Sequence, residues 1–208
     1  MKRLTFVVTV ALAFSTVASF AQTEQGKWFL QGSSNLNFQI GKEKYKQGGD
    51  SHVSDNYFTF NFTPMAGYTI IDNLPVGLFV DFASSKYTDP DDKDDFYRST
   101  EFTVGPFVRY YILDLDGFKP LVEAAVGIGS HSDAYGPEDD DKDSGALLEY
   151  WLGVGGTYFL NNHVGIDLGI GYGNESYKYK AEGDSDEDYK YVYGGIYFNL
   201  GVVVMLGD

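Results

Sequence analysis

Six charged residues stand on the sparsely apolar face of strand-like stretches: Asp81, Glu101, Arg109, Glu123, Glu149 and Asp167. Charges turned into a protein interior must pair or change protonation state, because an isolated ion there loses its hydration. If the Asp114–Gly117 turn centres near Asp116, Arg109 falls directly opposite Glu123 on the next strand, with Asp167 at a similar height two strands later. Two kinds of chemistry suit such a set. An ion cluster would fill and rigidify the interior. Five inward acids facing one well-placed arginine could also line a gate or a proton or cation path. The expectation is a closed plug.

A second group of acids is concentrated in polar stretches. Ser84–Arg98, His131–Gly145 and Asn174–Lys190 hold five, six and six of the chain's 30 acidic residues. Asp139-x-Asp141-x-Asp143 and Asp184-x-Asp186-x-Asp188 superficially resemble calcium loops. Neither has the sixth-position glycine, since Ser144 and Tyr189 stand there, and neither has the twelfth-position glutamate. A solvated acidic surface with weak divalent bridging to anionic headgroups is the expectation, with no firm metal site. His52, His131 and His163 are the only histidines and are too scattered to cluster. His131-Ser132-Asp133 has the residue types of a hydrolytic triad but as neighbours in a loop, without the spacing that chemistry uses. A solvated loop histidine and a non-enzymatic protein without cofactor are therefore expected.

Period-two alternation indicates the elements that carry these residues. Tyr189–Leu206 places Val192, Ile196, Phe198, Leu200, Val202, Val204 and Leu206 on one face, with Tyr191, Tyr193, Tyr197 and Asn199 on the other. The same pattern runs through about Lys27–Ile40, Phe58–Ile70, Val76–Ala83, Ser99–Ile112, Lys119–Ser130, Ala146–Leu160 and Val164–Tyr172. Eight strands result, joined alternately by long polar segments (the first being Gly41–Asp55) and tight turns such as Ile71-Asp72-Asn73 and Asn161-Asn162-His163. This alternation collects the long loops at one end and the turns at the other, as in an up-and-down meander. A long terminal strand needs a partner on both edges, and closure onto the first strand supplies one. The expected fold is an all-β, eight-stranded, antiparallel up-and-down transmembrane β-barrel.

The apolar parity is assigned to lipid because the opposite one is rich in glycine (Gly127, Gly129, Gly153, Gly155, Gly165, Gly169, Gly171). Glycine is a poor choice for an open strand surface but fits a crowded lumen. A soluble ligand-binding barrel would need the faces inverted. Trp28, Tyr68, Tyr110, Tyr158 and Tyr172 at strand ends suit interfacial girdles.

Met1-Lys2-Arg3, the apolar Leu4–Phe14 and Ser19-Phe20-Ala21 read as a secretory signal peptide over 1–21, leaving 22–208 as a single barrel domain. The chain has no cysteine, which excludes a lipoprotein anchor and disulfides. Its formal charge of −15 makes nucleic acid an implausible partner.

Gly105-Pro106-Phe107-Val108-Arg109-Tyr110-Tyr111, Pro120-Leu121-Val122-Glu123-Ala124, the signal ending Phe20-Ala21-Gln22 and the last strand resemble the small outer-membrane β-barrel family, of the OmpA membrane-domain and OmpX type. Asn199-x-Gly201-x-x-Val204-x-Leu206 is similar to the signal that the barrel-assembly machinery reads in such proteins, although the terminal aromatic is missing. With the last expected strand ending at Leu206, no counterpart of the soluble peptidoglycan-binding domain of OmpA is expected. The resemblance implies a multi-pass protein of the bacterial outer membrane with periplasmic termini. Its partners would be outer-membrane lipid, the assembly machinery and periplasmic chaperones. Acidic external loops would then act in surface contact, adhesion or envelope integrity. The alternatives are a narrow ion or small-solute pore and, further off, a lipid-A-modifying enzyme.

Overall fold

The computed structural model describes residues 23–33, 37–47, 50–136, 142–179 and 189–207. The expected leader over 1–21 lies outside them. Ten strand segments form one antiparallel sheet: β1 (Trp28–Ser33), β2 (Asn37–Gln47), β3 (Asp50–Phe62), β4 (Pro64–Ile71), β5 (Leu74–Thr88), β6 (Phe96–Tyr111), β7 (Phe118–Tyr135), β8 (Lys142–Phe159), β9 (Val164–Tyr179) and β10 (Tyr189–Leu206). β1 lies between β4 and β10, and β4 through β10 pair in chain order. First strand therefore closes on last in an eight-membered up-and-down ring.

The first two expected strands are each divided. β3 and β4 keep one register against β5, with Phe62 opposite Phe82 and Met65 opposite Phe79. Pro64, which has no backbone N–H to give the ladder, stands at the break. β1 sets Gly32 opposite Pro64, but β2 sets Asn37 opposite Asn61, two residues out of step. Among the described residues, β2 pairs with β3 alone, and Val192–Asn199 of β10 pairs with β9 alone.

The long loops expected over 41–55, 84–98, 131–145 and 174–190 contain much strand among their described residues. The ladders run on to Thr88 and Phe96, to Tyr135 and Lys142, and to Tyr179 and Tyr189. Alternation fades there because both faces of the extended hairpins are polar, yet Tyr, Thr and Ser still suit a pleated backbone. At the opposite end the connections are tight. Asn73 (φ 68°) and Asp116 (φ 54°) occupy the left-handed region, followed in the second turn by Gly117 (φ 90°).

The two faces separate as the alternation indicates. Leu152, Leu168, Ile196 and Phe198 are more than 60% exposed on the outside. Phe29, Phe79, Val203 and Met205 are fully buried inside, where they join Met65, Phe107, Ala125 and Phe159 in one apolar cluster.

Candidate functional site

The short-turn half of the lumen is organised by Arg109. β6 and β7 diverge from the Asp114–Gly117 turn in the register that puts Arg109 opposite Glu123. Its guanidinium donates from Nε to Glu123 Oε2 at 2.7 Å, from one terminal nitrogen to Asp167 Oδ2 at 2.6 Å, and from the other to Gln31 Oε1 at 2.6 Å. Glu123 also accepts from Trp151 Nε1 at 3.3 Å, and Thr157 donates to the second oxygen of Asp167. The Phe29 ring lies 4.9 Å from the guanidinium carbon, adding a cation–π contact on one face. Four strands beyond β6 are thus tied to one side chain that is only 1% exposed. An arginine suits this role because its planar fork presents fixed donors to several acceptors at once.

Above this cluster the lumen is occupied by rings that need glycine opposite them. A Cβ on Gly153 or Gly171 would stand 2.6 or 2.5 Å from the Tyr197 hydroxyl, so these two positions make room for the tyrosine. Trp151 packs edge-on to Phe79, with centroids 4.4 Å apart.

The remaining inward acids lie toward the long-loop end and are not drawn into the arginine cluster. Asp81 accepts from Thr63. Glu101 faces His131 across the β6–β7 pair. Glu149 stands directly opposite Glu175 across the β8–β9 pair, and Tyr177 donates to Glu175 at 2.8 Å. Among the described residues, Asp81, Glu149 and Glu175 have no ion-pair partner. Glu175 was hidden in sequence because it falls in the polar stretch read as a loop, where the alternation no longer points to a face. Gln31 was visible as an inward polar residue, but its partner 78 positions away was not.

The lumen here encloses a cavity of about 360 Å³ lined by Gln31, Asp81, Glu149, Trp151, Glu175 and Tyr197 among others, and its rim includes Gly194, Gly195 and Ile196 on the unpaired edge of β10.

His131 corrects an expectation. It is not a solvated loop residue but lies within β7, 2% exposed, edge-on to Tyr177 at 5.2 Å. Ser132 points to the opposite face of the strand from His131 and Asp133, so the three cannot act together. His163 sits at the other end of the barrel, its Nδ1 3.0 Å from the Met205 carbonyl oxygen. Asp139, Asp141, Asp184, Asp186 and Asp188 lie outside the described residues. Asp143 belongs to β8, opposite Asp133. No group of three acids and histidines close enough to hold a metal occurs among the described residues. Asn199, Gly201, Val204 and Leu206 all lie on β10, and Gly201–Leu206 is the stretch that closes on β1.

No protein-family model matches the chain, and neither does any curated protein sequence. Solved structures do. The outer membrane protein OprG from Pseudomonas aeruginosa is 12% identical, over 91% of this chain and all of that one, with a TM-score of 0.46. The outer membrane protein AlkL is 17% identical over 92% and 95% of the two chains, with a TM-score of 0.48. Neisserial surface protein A is 19% identical over 86% and 99%, with a TM-score of 0.41. The proteins found are of the class that the sequence resembles. On its own pairing and register, this chain is a small all-β protein folded as an eight-stranded, antiparallel up-and-down barrel with charged residues inside and apolar residues outside.

Proposed function

We propose that the protein is a non-enzymatic integral barrel of the bacterial outer membrane whose lumen is blocked in its short-turn half. It would act through the opposite, external end in surface contact, adhesion or envelope integrity. The exposed band of Leu, Ile, Val and Phe around the wall supports lipid as its surroundings, since a water-facing protein rarely shows so continuous an apolar surface. A barrel crossing a membrane has to satisfy its backbone groups within the sheet at bilayer depth, and the ladders from β4 through β10, closed by β1, supply that pairing over the short-turn half. Both termini would be periplasmic, at the end with short turns, and the Asn199–Leu206 stretch would be read by the assembly machinery after delivery by chaperones. The acids of the extended hairpins would face outward, where divalent ions bridge weakly to headgroups.

The observation that carries the closed lumen is the Arg109 cluster. Its three anchoring side chains come from β1, β7 and β9, so the cluster spans the barrel interior with an apolar cluster packed around it. Planar-bilayer recording from the refolded protein tests this. Insertion without current steps supports the plug; discrete openings would instead make it a narrow pore.

A further inference from the structure

We propose that the long-loop half of the lumen is a binding site for a small organic amine carrying an aromatic body and a hydrogen-bond acceptor. Three independent features of the cavity converge on that chemistry. It is rich in acids: Asp81, Glu149 and Glu175 all line it, and none is in an ion pair among the described residues. Glu149 and Glu175 face each other across one strand pair, an arrangement that repels unless a cation comes between or beside them.

Two buried polar atoms that line the cavity also have no partner among the described residues. Glu149 Oε1 is buried and accepts nothing, and the residue is 7% exposed. Gln31 is 4% exposed; its Oε1 is committed to Arg109, which can only donate, so the free atom is the donor Nε2. A buried acceptor and a buried donor that both lack partners each forgo a hydrogen bond that a ligand can restore. The third feature is aromatic: Trp151 and Tyr197 line the same space, and rings of this kind hold both apolar bodies and cations.

A volume of about 360 Å³ falls within the range of small-molecule sites, about 300–1,000 Å³. An extended amine fits better than a bare metal ion, because no three acids or histidines among the described residues converge on one point. The cavity rim includes the β10 segment that, among the described residues, pairs with β9 alone. Gly195 on the cavity rim has nothing within 4 Å of where a side chain would begin.

Isothermal titration of the refolded protein in detergent micelles with tyramine tests the site, with 4-ethylphenol as the neutral counterpart and calcium as the competing ion. Saturable binding of tyramine alone is expected. It should weaken by about tenfold or more in Glu149→Gln and in Glu175→Gln, as loss of a charge-assisted hydrogen bond implies. Asp116→Asn, in a distant turn, should leave it unchanged. Both glutamine variants relieve a like-charge contact, and a melting curve for each verifies that the barrel is intact. The proposal is overturned if tyramine does not saturate, if 4-ethylphenol binds equally well, if both glutamine variants bind as wild type does, or if calcium displaces the amine one for one. A silent planar bilayer bears on the plug below the cavity and leaves this result independent.

Discussion

The two halves of the lumen use the same residue types on the same strand parity and arrive at opposite electrostatic states. Around Arg109, two carboxylates and an amide converge on one guanidinium, and each carboxylate there has an ion-pair partner within an apolar packing. Toward the long-loop end, Glu149 faces Glu175, and neither has an ion-pair partner among the described residues. Inward charge alone therefore does not define a structural cluster; the presence of a counterion at the same height does. The wall follows the same division. Among the described residues, β10 pairs with β1 at the height where the charges are paired and with β9 alone at the height where they are not.

The largest effect on this comparison should come from Arg109→Ala, which strands Glu123 and Asp167 as buried, unpaired acids. A loss of about 3–5 kcal/mol is expected, measured by urea unfolding in detergent or vesicles. A variant as stable as one altered in an exposed turn would remove the idea of a structural plug.

Glycine substitutions sharpen the packing side of the contrast. A Cβ at Gly105 would lie 1.9 Å from the Val126 carbonyl oxygen, whereas Gly195 has open space. Gly105→Ala should cost about 1–3 kcal/mol, while Gly195→Ala should stay within about 0.5 kcal/mol of wild type. Equal costs would show that the upper lumen is as tightly filled as the middle.

Glu149→Gln should move stability the other way, by a gain of up to about 1 kcal/mol from relieving its repulsion with Glu175. A loss resembling that of Arg109→Ala would mean that Glu149 has a stabilising partner after all, and the two halves would no longer differ.

The smallest effect belongs to the turn end. Lys119 Nζ lies 2.8 Å from Asp114 Oδ2, and this hydrogen bond holds the Asp114 carboxyl below its ordinary value. A depressed folded-state value means that the contribution is present above the unfolded carboxyl range and is lost as pH falls through the folded one. Asp114 is half-exposed, so solvent screening limits the pair to a few tenths of a kcal/mol. Asp114→Asn should lower the urea midpoint slightly at pH 7 and not at all near pH 2.

Much of the ring was legible in the chain because alternation and tight turns are local signals. The Asp114–Gly117 turn was enough to derive the pairing of Arg109 with Glu123, since a hairpin turn fixes its own register. The approach of Gln31 to the same guanidinium depends on closing the ring, which no neighbouring residues encode. Glu175 and His131 were misplaced for a different reason: where both faces of a hairpin become polar, a strand and a loop have the same composition. The divided first and second strands left only Pro64 as a trace, and a single proline does not specify a two-residue step.

The step between β1 and β2 has a consequence for how the barrel would come apart. β10 holds β9 through sixteen paired residues but holds β1 through only six, Trp28–Ser33 against Gly201–Leu206. On its other edge β1 meets β4 through five pairs, so among the described residues both ladders of β1 are short and β1 is the natural starting point for unzipping, on its β10 side as on its β4 side. Amide hydrogen exchange should accordingly be faster along the β1–β10 join than along the interior ladders of β7 and β8, and bridging the two strands with a cross-link should slow opening of the whole ring.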